Sequence, residues 1–398
     1  MPRSHVREAP PLLSRSLLIV FLVSLGGGTS FYLLLTVVPL YAASSGGGVG
    51  AGLTTGALML ATVGAELFTP RLVARFGERL AFALGLVLLG APVLALPTSS
   101  SLAAIVAICL VRGLGFGITV VVGSAMVASL VAPERRGEGL GLYGLVVGVP
   151  SIVALPLGVW LVGQVGYPAV FIAGASAALL SLAATPGLPG KARPDEPHVG
   201  VVAGLRMPAL IRPAVAFSAT TMAAGIVVTF IALVVPAASE GLVALALLVQ
   251  AVTATMGRWW AGRYGDRNGS ARLLLPGIVT SALGIVTLAL PAGAVVVVGS
   301  MVLFGAGFGV MQNASLALMF DRVSRSGYNA ASAVWNLAYD TGMGAGAAIF
   351  GFVAARTGYT IAFLLTGAVM LTALAPAWSE MRSDLAPRRQ RDEDQPYA

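Results

Sequence analysis

Charge is scarce in this sequence. Only 10% of its 398 residues are Asp, Glu, Lys or Arg, against roughly 25% in a soluble domain. With 57% of the residues hydrophobic, the polar side chains cannot cover a water-facing surface, and the bilayer has to be the solvent. Cysteine occurs once. Cys109 can form no internal disulfide and lies inside an apolar run, where it reads as a small buried residue. The two histidines, His5 and His198, lie in polar segments, so no His/Cys metal-ligand spacing is present. No nucleophile–base pair and no phosphate-binding loop is visible, which argues against an enzyme.

What the chain does have is long apolar runs. A spanning helix needs about 20 mainly apolar residues, and twelve stretches qualify: 16–40, 51–70, 80–97, 102–128, 138–162, 168–185, 209–236, 241–260, 272–291, 294–319, 329–355 and 360–378. They are too long, and too free of two-residue alternation, for barrel strands. The first is also too long for a cleaved signal peptide, and no small-residue cleavage site with a soluble domain follows it. The expected fold class is an all-α membrane protein with twelve transmembrane helices. The stretch 186–208 carries prolines around Asp195 and Glu196 and reads as a linker. It separates a first half, 16–185, from a second, 209–378, with tails at 1–15 and 379–398.

The net charge of +8 could suggest nucleic acid, but its placement does not. Twenty-two of the 24 Lys and Arg fall in the tails and in alternate loops, the exceptions being Arg112 and Arg356. This positive-inside bias puts both termini in the cytoplasm. The basic tail "PRRQRDED" reads as a solvated end, and Arg258 with Trp259 and Trp260 as interfacial residues.

The chain also repeats itself. Residues 112–118 read "RGLGFGI" and residues 304–310 read "FGAGFGV", an offset of 304 − 112 = 192. Gly166, Tyr167 and Phe171 recur at that offset as Gly358, Tyr359 and Phe363, and Arg75 and Gly77 recur as Arg267 and Gly269. Three matches at one spacing indicate two related six-helix halves. Six crossings is an even number, so the repeats are parallel, about an axis along the membrane normal, and alternating access around a midplane site becomes possible. The "GLGFG" run lies within a helix and follows no strand, so it is no dinucleotide turn. Its glycines let neighbouring helices approach closely.

Over essentially its whole length the chain resembles the major facilitator superfamily, in particular its twelve-helix drug or metabolite:proton antiporters. The family's loop between helices 2 and 3 reads roughly G-x-L-x-D-R-x-G-x-R/K. The second-half copy here keeps Gly262, Asp266, Arg267 and Gly269. The first-half copy keeps Leu72, Arg75, Gly77 and Arg79, with Pro70 for the Gly and Ala74 for the Asp. The resemblance implies that these loops latch the cytoplasmic side by pairing with helix ends of the opposite half, with Glu78 or Glu66 standing in for the missing acid. Arg112-Gly113 is similar to the family's second signature, and "GVPSIVALPLGV", 148–159, is loosely similar to the helix 5 pattern of its exporters.

A charge at the bilayer centre costs about 2.5–3.5 kcal/mol, so intramembrane charges mark function. Three stand out: Arg112, Asp340 and Glu66. Their repeat mates are Phe304, Gly148 and Arg258. Arg112 can anchor a substrate, act as counter-ion to a carboxylate, or tie helices through backbone carbonyls. Asp340 can load and release a proton as the cavity opens to each side, or tie to Asn336 one turn earlier. Glu66 can carry the proton, or pair with Arg71, Arg75 or a helix 11 end. Further cavity candidates are Tyr32, Thr221, Gln250, Gln312, Asn313, Trp335 and Asn336, each of which can equally serve helix packing. So few charges suit a mainly apolar, aromatic or weakly anionic compound better than a sugar or phosphate.

The expected function is secondary active transport by alternating access, with proton-coupled efflux of small hydrophobic molecules ahead of import by a symporter or uniporter. A transport-dead scaffold or sensor is the reading from another class; it lacks a soluble output domain. The expected partners are the lipid bilayer, protons and a small-molecule substrate, with no cofactor, metal or nucleic acid. The expected setting is a cell membrane, the cytoplasmic membrane of a bacterium, and the expected state a monomer.

Overall fold

With no water in the hydrocarbon region to satisfy backbone N–H and C=O groups, a spanning segment must bond within itself. The computed structural model, which describes residues 14–98, 101–131, 136–189, 204–235, 240–290, 293–323 and 328–382, is built of helices, with no strand among the described residues. His5, His198, Asp195, Glu196, Lys191 and the basic tail lie outside them.

Nine helical stretches among the described residues are long and apolar enough to cross a membrane. Three of them are far longer than one crossing, and each breaks at a glycine with positive φ: Gly47 (56°), Gly166 (77°) and Gly358 (78°). Taking each arm as a helix gives the following order. α1 is Arg15–Leu35, capped by the Ser14 hydroxyl and continued past Thr36 to 46. α2 is 48–76, α3 Glu78–Gly90 and α4 Leu102–Leu130; α5 is 136–165 and α6 167–181. α7 is Pro208–Val234, α8 Glu240–Asn268, α9 Leu274–Thr287 and α10 Ala294–Asp321; α11 is 328–357 and α12 359–372. The expected run 80–97 is not one α-helix. α3 stops at Gly90, and Ala91–Thr98 continues as 3-10 turns, where Pro92 and Pro97 lack the N–H an α-helix needs.

The repeat is visible in side-by-side detail. In α4, a Cβ on Gly113 or Gly117 would strike the Leu58 or Thr62 carbonyl of α2, and one on Gly115 would lie 2.5 Å from the Gly85 carbonyl of α3. In α10, Gly305 and Gly309 meet the Gln250 and Ala254 carbonyls of α8, and Gly307 would be 2.7 Å from the Gly277 carbonyl of α9. Every one of these partners is also offset by 192. Alternate glycines of one short run thus press against two different neighbours, backbone on backbone. The loop glycines repeat too: Gly77 (φ 81°) with Gly269 (φ 90°), and Gly166 with Gly358.

The repeat extends to the ends of the halves, with different chemistry. Arg79 donates to the Leu188 carbonyl through Nε (2.9 Å) and Nη2 (2.6 Å). At the matching position in the second half stands Glu380, 1% exposed, which takes Arg322 and, at 4.0 Å, Arg212. Outward, the bundle presents apolar side chains, such as Val295, Leu180, Phe68 and Leu60, as a lipid-facing surface does.

Overpacking a tight site costs about 1–3 kcal/mol. Gly115→Val and Gly307→Val are therefore expected to lower the unfolding temperature of the detergent-solubilised protein. Gly64→Ala, whose Cβ would meet nothing within 4 Å, is expected to leave it unchanged or raise it slightly.

Candidate functional site

The halves meet along two seams, α2 against α11 and α5 against α8. On the first seam the contact is again backbone on backbone. A Cβ on Gly351 would lie 2.7 Å from the Gly48 carbonyl, one on Gly56 would lie 2.9 Å from the Ala348 Cβ, and Gly52 abuts the Ala347 carbonyl. The Thr55 hydroxyl of α2 bonds the Thr229 hydroxyl of α7 at 2.8 Å, buried, across the halves.

Further along the same seam, about 15 Å beyond Gly56 at 1.5 Å per residue, comes Glu66. Its carboxyl meets that of Asp340 on α11, close enough for a hydrogen bond between them. Asp340 is 7% exposed and Glu66 half-buried. A carboxylate only accepts hydrogen bonds, so a hydrogen bond between two carboxyls needs a proton on one of them. The tie expected between Asp340 and Asn336 is not formed: the partner of Asp340 is Glu66. Nor does Glu66 pair with Arg71 or Arg75.

Opposite this pair stands Arg258 of α8. Its neighbours Trp259 and Trp260 are exposed, whereas its guanidinium donates to Oε1 of Gln312 on α10. Tyr32 of α1 and Tyr339 of α11 lie within electrostatic reach of both Arg258 and Asp340. Five helices from both halves thus contribute to one polar cluster of two acids, a cation and two phenols, which marks the candidate cleft. The sequence carried a signal for Arg258 that its position beside two tryptophans obscured: it is the repeat mate of Glu66.

Aromatic side chains pack beside this cluster. Trp335 stacks on Phe217 (4.8 Å between centroids) and lies 5.8 Å from Tyr339, which in turn is 6.2 Å from Phe308. In the first half Phe31 stacks on Phe116 at 3.6 Å and meets Tyr32 edge-on at 5.0 Å.

Arg112 does not join this cleft's ion chemistry, and it forms no ion pair with Asp340. It is 1% exposed, with Cys109 beside it and neither Nε nor Nη2 hydrogen-bonded. It lines a narrow recess together with Leu34, Leu35, Val38, Thr54, Thr55 and Leu58 among others. The same slot in the second half holds Phe304, which is fully buried.

Other candidates make ties to neighbouring helices or lie against them. The Thr221 hydroxyl is buried and bonds the Ser218 and Ala338 carbonyls, tying α7 to α11. Trp335 donates its indole N–H to Ser315 Oγ at 3.0 Å. Gln250 is 7% exposed, and Asn313 lies against Gly262. Of the loop-motif residues, Arg79 binds the Leu188 carbonyl, Arg75 lies over the Phe76 ring, and Asp266 and Arg267 make no ion pair among the described residues. No group of three or more metal-ligating side chains occurs among the described residues.

Comparison with known proteins agrees with this architecture. The family model for the Major Facilitator Superfamily matches residues 17–347 and, in a second match, 214–396. A bacterial homolog of the human lysosomal transporter Spinster, in an inward-facing and unoccupied conformation, superposes with a TM-score of 0.76 at 13% identity, covering 95% of this chain and 99% of that one. The xylose transporter XylE from E. coli superposes with a TM-score of 0.73 at 14% identity, covering 92% and 98%. The nucleoside transporter NupG gives 0.70 at 14% identity, covering 93% and 99%. At these identities the likeness is one of fold. A search of curated protein sequences finds no match.

The Thr55–Thr229 contact can be locked. Cysteines at both positions, Thr55→Cys with Thr229→Cys, are expected to form a disulfide on mild oxidation, seen as a band resistant to separation after cleavage of the 186–208 segment. Reduction is expected to release it, and each single variant is expected to form none.

Proposed function

The chain belongs to the major facilitator superfamily, and we propose that it is a proton-coupled carrier of small, mainly apolar molecules in which Glu66 and Asp340 together hold the transported proton. The protein is a membrane transporter, not an enzyme. In the proposed topology each helical arm crosses once, giving twelve crossings with both termini cytoplasmic. Residues 16–185 and 209–378 form the two moving halves, joined by 186–208, and the setting is the cell membrane.

One observation carries the reading: the two acids come from different halves and meet on the seam that must open. When both are ionised they repel, so the seam is pushed apart. With a proton between them they attract, and the pair, with one charge in place of two, is less costly to bury. Protonation therefore biases a two-state element, as coupling requires. The energy is ample: one proton crossing 100 mV releases ~2.3 kcal/mol, enough for about a 50-fold accumulation of a neutral solute.

Export in exchange for protons is supported by the apolar and aromatic wall and by the resemblance in the loop motifs. Under that scheme substrate and proton take turns in the cleft. A second reading, substrate and proton moving together, is favoured by Arg258, a cation facing the same cleft with no ion pair among the described residues.

The test uses purified protein in liposomes with an imposed pH gradient and a panel of hydrophobic dyes and organic acids. Gradient-driven transport is expected in the wild type. Asp340→Asn and Glu66→Gln are each expected to lower it at least tenfold while leaving gradient-free exchange of the same compound. Because the acids act as one unit, the double variant is expected to be no worse than either single one. Full gradient-driven transport by the double variant would remove the proton from this site.

A further inference from the structure

The two seams are related by the repeat, and the relation exposes what the second one lacks. Glu66 faces Asp340 on the α2–α11 seam. Their repeat mates are Arg258 on α8 and Gly148 on α5, the other seam. There a cation stands where the first seam has an acid, and its opposite position carries no side chain. A Cβ built on Gly148, or on Gly144 one turn earlier, would meet nothing within 4 Å. The space that a side chain fills on one seam is open on the other.

Arg258 has donors to spare. A guanidinium carries five N–H groups, and its hydrogen bond among the described residues is the one to Gln312. No carboxylate pairs with it there, and its side chain is exposed. Planar guanidinium suits a carboxylate held by two parallel hydrogen bonds. The nearby wall is aromatic on both halves: Tyr339 with Phe308 and Trp335 on one, Tyr32 with Phe31 on the other.

We infer that Arg258 anchors the anionic group of the substrate, and that the protein carries organic acids with one carboxylate on an aromatic or aliphatic body. The inference deepens the reading of a proton-coupled carrier and, for its coupling, rests on it.

Charge counting supplies that coupling. Tyr32 and Tyr339 lie within electrostatic reach of both Asp340 and Arg258; Arg112 lines a separate recess. With one shared proton the pair carries one negative charge, Arg258 carries one positive charge, and the empty cleft is neutral. A carboxylate arriving at Arg258 adds a negative charge, and a second proton on the pair cancels it. A low-dielectric cleft favours the neutral combination, so anion and proton enter together and leave together. Organic acid and proton thus move in the same direction, and Gly148 is where the chain leaves room for the acid.

The experiment titrates purified protein with benzoate, 3-phenylpropionate and octanoate, each against its primary amide. Affinity is read by calorimetry, and proton uptake by repeating the titration in buffers of different ionisation enthalpy. At least one acid is expected to bind at least tenfold more tightly than its amide, with uptake approaching one proton per protein. Arg258→Gln is expected to weaken acid binding at least tenfold and leave the amide unchanged. Arg258→Lys, which keeps the charge and loses the planar fork, is expected to fall between. In Glu66→Gln with Asp340→Asn the acid preference is expected to persist without proton uptake. Equal affinity for acid and amide, an unaltered preference in Arg258→Gln, or no binding of any of the three acids would overturn the anchor. Acid binding that depends on Arg258 but takes up no proton in the wild type would keep the anchor and overturn the proton pair.

Discussion

In the hydrocarbon region nothing outside the chain can satisfy a backbone amide, and nothing apolar gains by leaving lipid for protein. The first fact makes every span a helix. The second means that helices hold one another through close contact rather than through a hydrophobic drive. The glycine runs of α4 and α10 follow from it. Gly113, Gly115 and Gly117 each seat a neighbouring backbone, as do Gly305, Gly307 and Gly309, and so one seven-residue pattern clamps three helices in each half. The Gly48, Gly52 and Gly56 contacts with α11 apply the same device between the halves, where a smooth surface also allows movement.

On that near-symmetric frame the charges are arranged without symmetry. Arg112 occupies the slot that Phe304 fills, Arg258 mirrors Glu66, and Asp340 mirrors Gly148. Symmetric halves with symmetric charges would place like groups on both seams. The observed arrangement gives one seam two acids and the other a cation facing open space. A buried or half-buried charge costs several kcal/mol unless compensated. The acid pair therefore sets a requirement, a proton, and the exposed Arg258 is left with donors that an anion can take.

Opening and closing then follow from local electrostatics. Two ionised carboxylates on a seam favour separation, and two that share a proton favour contact. The α2–α11 seam is a suitable place for that switch, because many of its contacts are glycine backbones, and the Thr55–Thr229 hydrogen bond beside it, from α2 to α7, is a single one. The knots at the ends of the halves, Arg79 on Leu188 and Arg322 on Glu380, lie within single halves and leave the motion between them free.

Much of this was legible in the linear chain. Run length and scarcity of charge specify membrane helices, because the bilayer imposes its thickness on each segment independently of the others. The 192-residue offset reveals the two halves, because duplication preserves spacing. Asp340, Glu66 and Arg112 stand out because a charge inside an apolar run is costly wherever the run ends up. Which charges meet is another matter. Glu66 and Asp340 lie 274 residues apart (340 − 66), and nothing local to either reveals the other. Arg258 reads as interfacial from its tryptophan neighbours, yet helix rotation turns its guanidinium onto Gln312. Thr221 reads as cavity lining, yet the same kind of rotation buries it against Ala338. Helix rotation and the pairing of seams are set by packing between segments far apart in sequence, and so the sites, unlike the spans, became visible in three dimensions alone.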